Sequence, residues 1–323
     1  MNFSAPSSRR RVLLLGATGT IGRATTRALV DVGHTVVAFG RRAADVAGVA
    51  TRIGDVADPA SLARHGFRGE RFDAIVSCLA SRTGSPADAV AVDRDAHLSA
   101  LEAAKAAGVG QFVLLSAICV QRPRLAFQHA KLAFETALIE SGLAYSIVRP
   151  TAYFKSLSGQ VERVKAGKPF LLFGDGRLTA CKPISDDDLA RYIADCLTHP
   201  ARRNRILPIG GPGPAITPRE QAERLFELLG RPLKIKRVPV ALMSAIVGGL
   251  AIAGRFNRKL ADKAEFARIG RYYATESMLV WNEARQAYDA DATPETGSET
   301  LFDFYERLVR GEAKVELGEH AVF

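Results

Sequence analysis

The 323-residue sequence predicts an α/β fold, a doubly wound parallel sheet with a smaller, mostly helical C-terminal region. Three observations predict it. Short apolar runs alternate with helix-length stretches through the first half, the pattern of βαβ units whose sheet is covered on both faces. A glycine turn, Gly16-Ala-Thr-Gly19-Thr-Ile-Gly22, joins the first apolar run to the first helical one. Past residue 155 the alternation gives way to helix starts marked by capping residues. The expected division is a Rossmann domain over 1–155 and a substrate-binding region over 156–323, partly interleaved with the same sheet.

The elements follow in order. Arg11-Val-Leu-Leu-Leu is the first strand, and the first helix covers 23–32. Between them the spacing G-x-x-G-x-x-G lets the backbone approach a pyrophosphate, and the helix start offers N–H groups and a partial positive charge. Gly16, Thr18, Gly19, Thr20, Ile21 and Gly22 are therefore the expected dinucleotide contacts. The second strand, 34–39, runs into Gly40-Arg41-Arg42. An NAD site carries an acid about 20 residues past the glycines. Here two guanidinium forks stand instead, suited to a 2′-phosphate, so Arg41 and Arg42 point to NADPH. The third strand, 50–53, ends at Gly54-Asp55-Val56, and the fourth, 72–77, at Cys78-Leu79-Ala80. Asp55, Val56, Cys78, Leu79 and Ala80 are expected along the adenosine–nicotinamide channel. A helix over 93–107, a strand over 111–115, a helix over 126–140 and a strand over 145–148 complete the half. Right-handed crossovers place the ligand at the carboxyl ends of these strands.

In the second half, capping boxes at Ser185–Asp188, Thr217–Glu220 and Thr296–Glu299 mark three helix starts, and 206–209 reads as a returning strand. Acids in the first turn complement the helix dipole, so the Asp186-Asp187-Asp188 cluster is read as a helix start rather than a metal site. The run 238–254 lacks charged residues and is flanked by Lys236, Arg237, Arg255, Arg258 and Lys259. It falls short of the roughly 20 residues a spanning helix needs. It reads first as a buried or pocket-lining helix, and second as a site of peripheral contact with an anionic membrane.

The formal charge of +10 comes from scattered residues, which argues against nucleic acid and is met in part by anionic ligands. The four cysteines form no C-x-x-C pair, and the six histidines show no ligand spacing. The expectation is reduced thiols in a cytoplasmic protein with no protein-bound metal. The polar start, 1–11, contains no signal-peptide core.

Ser116 after the fifth strand and Lys131 on the next helix resemble the Ser and Tyr-x-x-x-Lys of short-chain dehydrogenases, with Phe127 at the tyrosine position. Residues i and i+4 share a helix face, so a benzyl ring stands where a phenol would deliver a proton. Carbonyl–alcohol chemistry needs an acid–base group there, whereas reduction of a carbon–carbon double bond can take its proton elsewhere. The resemblance implies that Ser116, Lys131 and Tyr153 form the catalytic set. Lys131 would hold the nicotinamide ribose, and Tyr153, after the sixth strand, is a candidate proton donor. His129 falls on another helix face and reads as structural.

Residues 115–121 with 127–135, then 273–278 and 289–302, sharpen the resemblance. Together they resemble the divinyl chlorophyllide 8-vinyl reductases, atypical short-chain dehydrogenases, over almost the whole chain. That resemblance implies NADPH-dependent reduction of the 8-vinyl group of a divinyl (proto)chlorophyllide to ethyl. The magnesium would belong to the substrate. The run 238–254 and the aromatics Phe154, Tyr272, Tyr273 and Trp281 are candidates to cover the macrocycle, at a photosynthetic membrane if the run touches lipid. Two alternatives keep the same cofactor motifs. One is an isoflavone-reductase-like enzyme acting on a smaller alkene. The other is a non-catalytic NADPH-binding regulator or accessory subunit of a respiratory complex.

Overall fold

The computed structural model describes residues 9–255 and 257–315. The polar start before Arg9 and the side chain of Arg258 lie outside the described residues. Seven strands form one parallel sheet in the order β3-β2-β1-β4-β5-β6-β8: β1 (Arg11–Leu15), β2 (Thr35–Gly40), β3 (Ala50–Ile53), β4 (Ala74–Ser77), β5 (Gln111–Leu115), β6 (Ala144–Pro150) and β8 (Arg205–Ile209). Order reverses between β1 and β4, the switch point at which open α/β sheets bind ligands. Residues of β1, β4 and β5 are almost wholly buried, so their runs are continuously apolar rather than alternating.

Helices cover both faces. On one, α1 (Thr20–Asp31) and α8 (Asp186–Asp195) pack Ile21, Ala24 and Leu29 against Leu189 and Ile193. On the other lie α2 (Pro59–Ser61), α3 (Pro86–Asp88), α4 (His97–Ala106) and α5 (Ala126–Glu140), with Leu101, Phe134 and Leu138 over Phe112 and Ile147. The helix expected over 93–107 starts earlier, at Pro86, and passes through a π-helical stretch, Ala89–Ala96, before α4.

The C-terminal region has its own core. It contains α6 (Phe154–Leu157), α7 (Val161–Lys165), α9 (Pro218–Leu228) and α12 (Leu301–Arg310), with the pairs β7 (Phe170–Phe173) and β9 (Ile235–Val238), and β10 (Val280–Asn282) and β11 (Ala287–Asp289). In α12 the buried residues Leu301, Tyr305 and Leu308 recur at helical spacing and face that core. Strand β8 comes from this half of the chain yet completes the seven-stranded sheet, and helix α8, also from this half, packs on it.

Two expectations are corrected. The segment from Thr296 does not open a helix: Thr296 N bonds Gly210 O at 2.9 Å and Glu299 N reaches Asp188 Oδ2 at 3.5 Å, tying it to the sheet domain. The capping box is made four residues later by Thr300 and Asp303. The run 238–254 does not form a buried helix. Its helix, α10 (Val240–Gly254), packs on α11 (Arg258–Thr275), and Val247 is its one buried residue. The hairpin partner covers one side of α10 and nothing among the described residues covers the other.

Candidate active site

Parallel strands end together, and the expected cofactor residues therefore collect along one edge of the sheet. Gly16 follows β1, Arg41 and Arg42 follow β2, Asp55 and Val56 lie beyond β3, Cys78-Leu79-Ala80 follow β4, and Ser116 follows β5. Tyr153 lies beyond β6, and Lys131 comes in from α5.

The glycine turn is built for close approach. Gly16 has φ +81°, and a Cβ there would stand 2.7 Å from the Cys78 carbonyl carbon. A Cβ on Gly22 would stand 2.0 Å from Gly16 O, so α1 can rest on the turn only without a side chain. Gly19 caps α1 with no side-chain acceptor, which leaves the first-turn N–H groups and their partial charge for an anion. Arg23 Nη1 donates to Thr18 O at 2.8 Å and braces the turn. Lys155 Nζ lies 3.1 Å from Thr20 Oγ1, adding a cation at the same helix end. Arg41 and Arg42 are exposed immediately past β2, where a 2′-phosphate would lie. Asp55 Oδ1 accepts from Ala57 N at 3.0 Å, shaping the turn after β3, while Val56 is buried beneath it.

Two buried charge pairs lie behind this edge. Lys131 Nζ is 2.9 Å from Asp93 Oδ1, and Asp93 is almost wholly buried with Oδ2 unpartnered. Beside them His97 Nδ1 faces Val92 O at 2.9 Å, so Nδ1 carries the proton and Nε2 accepts from Ser77 Oγ at 2.9 Å. Burial, and then the Lys131 charge, push the His97 pKa down to about 4. In the second pair, Glu135 is gripped by Arg149, and Ser116 Oγ donates to Glu135 Oε1 at 2.5 Å. An ionised carboxylate only accepts, so the Ser116 proton points into the network and away from the cleft.

The aromatic candidates separate. Phe154 is buried against Phe304, and Tyr272 donates to Cys119 O at 3.0 Å and Arg122 O at 3.1 Å; both serve the core. Trp281 is stacked under the Arg122 guanidinium, 4.0 Å from its ring centre, and Arg122 is paired with Glu276. Tyr273, the residue after Tyr272, keeps 37% of its surface. Half-buried Tyr153 and the more exposed Tyr273 both have phenols raised above the ordinary pKa, chiefly by desolvation and then by Cys78 for Tyr153 and by Cys119 for Tyr273. Both phenols stay protonated at neutral pH. Phe127 is half-buried among the C-terminal core residues, and His129 is exposed.

Helix α11 closes over this region. Glu265 Oε1 accepts from Ala126 N, the first residue of α5, at 3.0 Å, and Ile269 lies against Gly84. At the start of α8, Ser185 caps the helix and holds Asp188, and Arg27 pairs with Asp187. Burial, then Asp187, push the Asp186 pKa up to about 6, against the opposing charges of Lys155, Arg23 and Arg27. Among the described residues no group of three His, Cys, Asp or Glu side chains could hold a metal ion. Lys155, Asp93 and Glu135 were not singled out from sequence, and Asp186 was read there only as part of a helix start. Their importance comes from partners distant along the chain.

Residues 16–200 match the NAD(P)H-binding family. The chain is 47% identical over 343 residues to a divinyl chlorophyllide a 8-vinyl-reductase of Oryza sativa subsp. indica, covering 99% of this chain and 84% of that one. It is 43% identical to the Arabidopsis thaliana protein of the same description, covering 98% and 82%. Among solved structures, an NADPH-dependent quinone oxidoreductase of Escherichia coli complexed with NADPH superposes with a TM-score of 0.64 at 19% identity. That match covers 92% of this chain and 99% of that one, a likeness of fold.

Proposed function

The chain belongs to the divinyl chlorophyllide a 8-vinyl-reductases, and we propose that NADPH, bound along the carboxyl edge of its sheet, supplies the hydride that turns the 8-vinyl group of a divinyl chlorophyllide or protochlorophyllide into ethyl. The protein is an oxidoreductase of chlorophyll biosynthesis. The observation that carries NADPH over NADH is the end of β2, where exposed Arg41 and Arg42 stand in place of an acid.

Residues 1–155 bind the cofactor and 156–323 the substrate, with α8 and β8 lent back to the sheet. Gly16, Thr18, Gly19, Thr20, Ile21 and Gly22 hold the pyrophosphate together with Lys155. Asp55, Val56, Cys78, Leu79 and Ala80 flank the adenosine–nicotinamide channel. Lys131 uses one of its three donors on Asp93 and keeps two for ribose hydroxyls. Ser116 acts by positioning Glu135 and the end of β5 rather than by donating to substrate.

Conjugation to the macrocycle spreads the developing negative charge, so the protein's main task is to fix the vinyl carbon in place. A basic carbon centre then takes a proton, and Tyr153 is the donor. Its phenol is kept protonated by burial. Phe127 contributes shape at the position where a carbonyl reductase would need an acid. Helix α11, with Tyr273 and Ile269, roofs the macrocycle and excludes water. The four cysteines are free thiols, which supports a reducing compartment such as the cytoplasm.

An absorption time course with purified protein, NADPH and divinyl chlorophyllide tests the reading. Loss of the conjugated vinyl group shifts the main band to the blue, and NADH in place of NADPH gives a much slower shift. Tight NADPH binding with no shift on any divinyl tetrapyrrole would refute it.

A further inference from the structure

Helix α10 carries no charged residue from Val240 to Gly254, yet most of it faces outward. Its inner seam is Met243, Val247, Leu250 and Gly254, at spacings of four, three and four. Met243 reaches Gly270, and Gly254 lies so close to Ala261 that a Cβ would stand 2.8 Å from its Cα. The opposite side exposes Leu242 (51%), Ile246 (49%) and Ile252 (65%), with Ala241, Ala245, Gly248 and Gly249 between them. Ser244, the one polar side chain, folds back onto Val240 O. Solvated helices carry charges on such a face, and a contiguous apolar one marks a contact surface.

Both ends of the helix are basic. Lys236 and Arg237 precede it on β9 and are exposed, and Arg255 and Lys259 follow it, also exposed. Exposed Lys263 adds a cation on α11, and exposed Asp262 a single acid. Fifteen residues of helix extend about 22 Å, short of the roughly 30 Å hydrocarbon core. No described helix is long and apolar enough to cross a membrane.

We propose that α10 docks the protein on an anionic lipid surface, lying in the interface plane with Leu242, Ile246 and Ile252 among the acyl chains and the terminal cations against the headgroups. A second copy of the chain fits this face less well. A two-fold contact through it would set one cation cluster against the other, whereas anionic lipid complements both ends at once. The geometry links the surface to the cleft. On α11, the helix directly behind α10, Ile269 meets Gly84 and the Tyr272 hydroxyl meets the backbone at Cys119. Docking therefore brings the roof of the site to the phase in which a flat apolar macrocycle dissolves. The docking itself rests on this surface alone and holds whichever substrate the cleft accepts.

Co-sedimentation of the full chain with vesicles tests it without cofactor or tetrapyrrole. Vesicles of phosphatidylcholine with 30% phosphatidylglycerol, at low salt, are expected to bind at least about tenfold more protein than phosphatidylcholine alone. The double variant Leu242→Glu with Ile246→Glu loses that binding while keeping the wild-type melting temperature, because both side chains stand on the outer face and outside the buried core. Lys236→Glu with Arg255→Glu abolishes the preference for phosphatidylglycerol. Equal binding to both vesicles, or binding untouched by the Leu242→Glu/Ile246→Glu variant, would overturn the proposal. So would a dimer in analytical ultracentrifugation that this variant dissolves, which would give the face to a second copy.

Discussion

Ser116 Oγ lies 2.5 Å from Glu135 Oε1 and donates to it, while Arg149 closes on the same carboxylate from the other side. The serine is thus part of a buried ion-pair network that ties β5, α5 and β6 together beneath the cleft. Ser116→Ala is expected to lower kcat less than about tenfold, because Arg149 still neutralises Glu135. Arg149→Ala strands a buried carboxylate and is expected to cost about 3 kcal/mol or more in urea unfolding. A collapse of turnover in Ser116→Ala at unchanged stability would return the serine to the reacting atoms.

Exposed Arg41 and Arg42 set the cofactor preference. Hydrogen bonds to a charged group contribute about 1.5–3 kcal/mol, so replacing both arginines by alanine is expected to raise the KM for NADPH about 10- to 100-fold or more. The KM for NADH should barely move. Equal losses with both cofactors would assign the arginines to general electrostatics.

Phe127→Tyr is expected to keep most of the activity, since the half-buried ring supplies shape alone. Tyr153→Phe removes the proposed donor and is expected to lower kcat about 100-fold with little change in the KM for NADPH. Tyr273→Phe serves as the comparison, because its phenol faces the same region from α11. A larger loss there than in Tyr153→Phe would transfer the donor role to α11.

His97 links the site to acid stability. Its folded pKa of about 4 lies below the ordinary imidazole value of about 6.5, because burial and then the Lys131 charge disfavour the imidazolium. Its stabilising contribution is complete above pH 6.5 and is lost as pH falls from 6.5 towards 4. The loss is on the order of 3 kcal/mol. Thermal melts of the wild type should fall across that window, and His97→Gln, which cannot titrate, should fall less steeply. Parallel curves would remove His97 from the acid response.

The parts of the site that were readable in the sequence are those fixed by near neighbours. The glycine turn and the arginines after β2 carry their meaning in local spacing, since a strand, a turn and a helix start are contiguous in the chain. The charge partners were not readable. Glu135 is 19 residues from Ser116, and Lys155 is 135 residues from Thr20, so only the folded sheet brings them together. Tyr272 and Tyr273 are adjacent in sequence and differ in burial, one bonded into the core and one keeping 37% of its surface. Thr296 and Thr300 both stand three residues before an acid, and tertiary bonds to Gly210 and Asp188 decided which of them caps the helix. The run 238–254 read as buried because an uncharged helix ordinarily is. What covers it depends on how many elements pack around α11, which no local pattern encodes.

Isotope labelling follows the hydride from NADPH to the vinyl carbon. The protein is incubated with divinyl chlorophyllide and NADPH deuterated at C4 on one face, then on the other, and the product is analysed by mass spectrometry. One deuterium in the new ethyl group from one of the two labelled cofactors, and none from the other, is the predicted result. Reduction of the vinyl group with no deuterium from either face would rule out hydride transfer from NADPH.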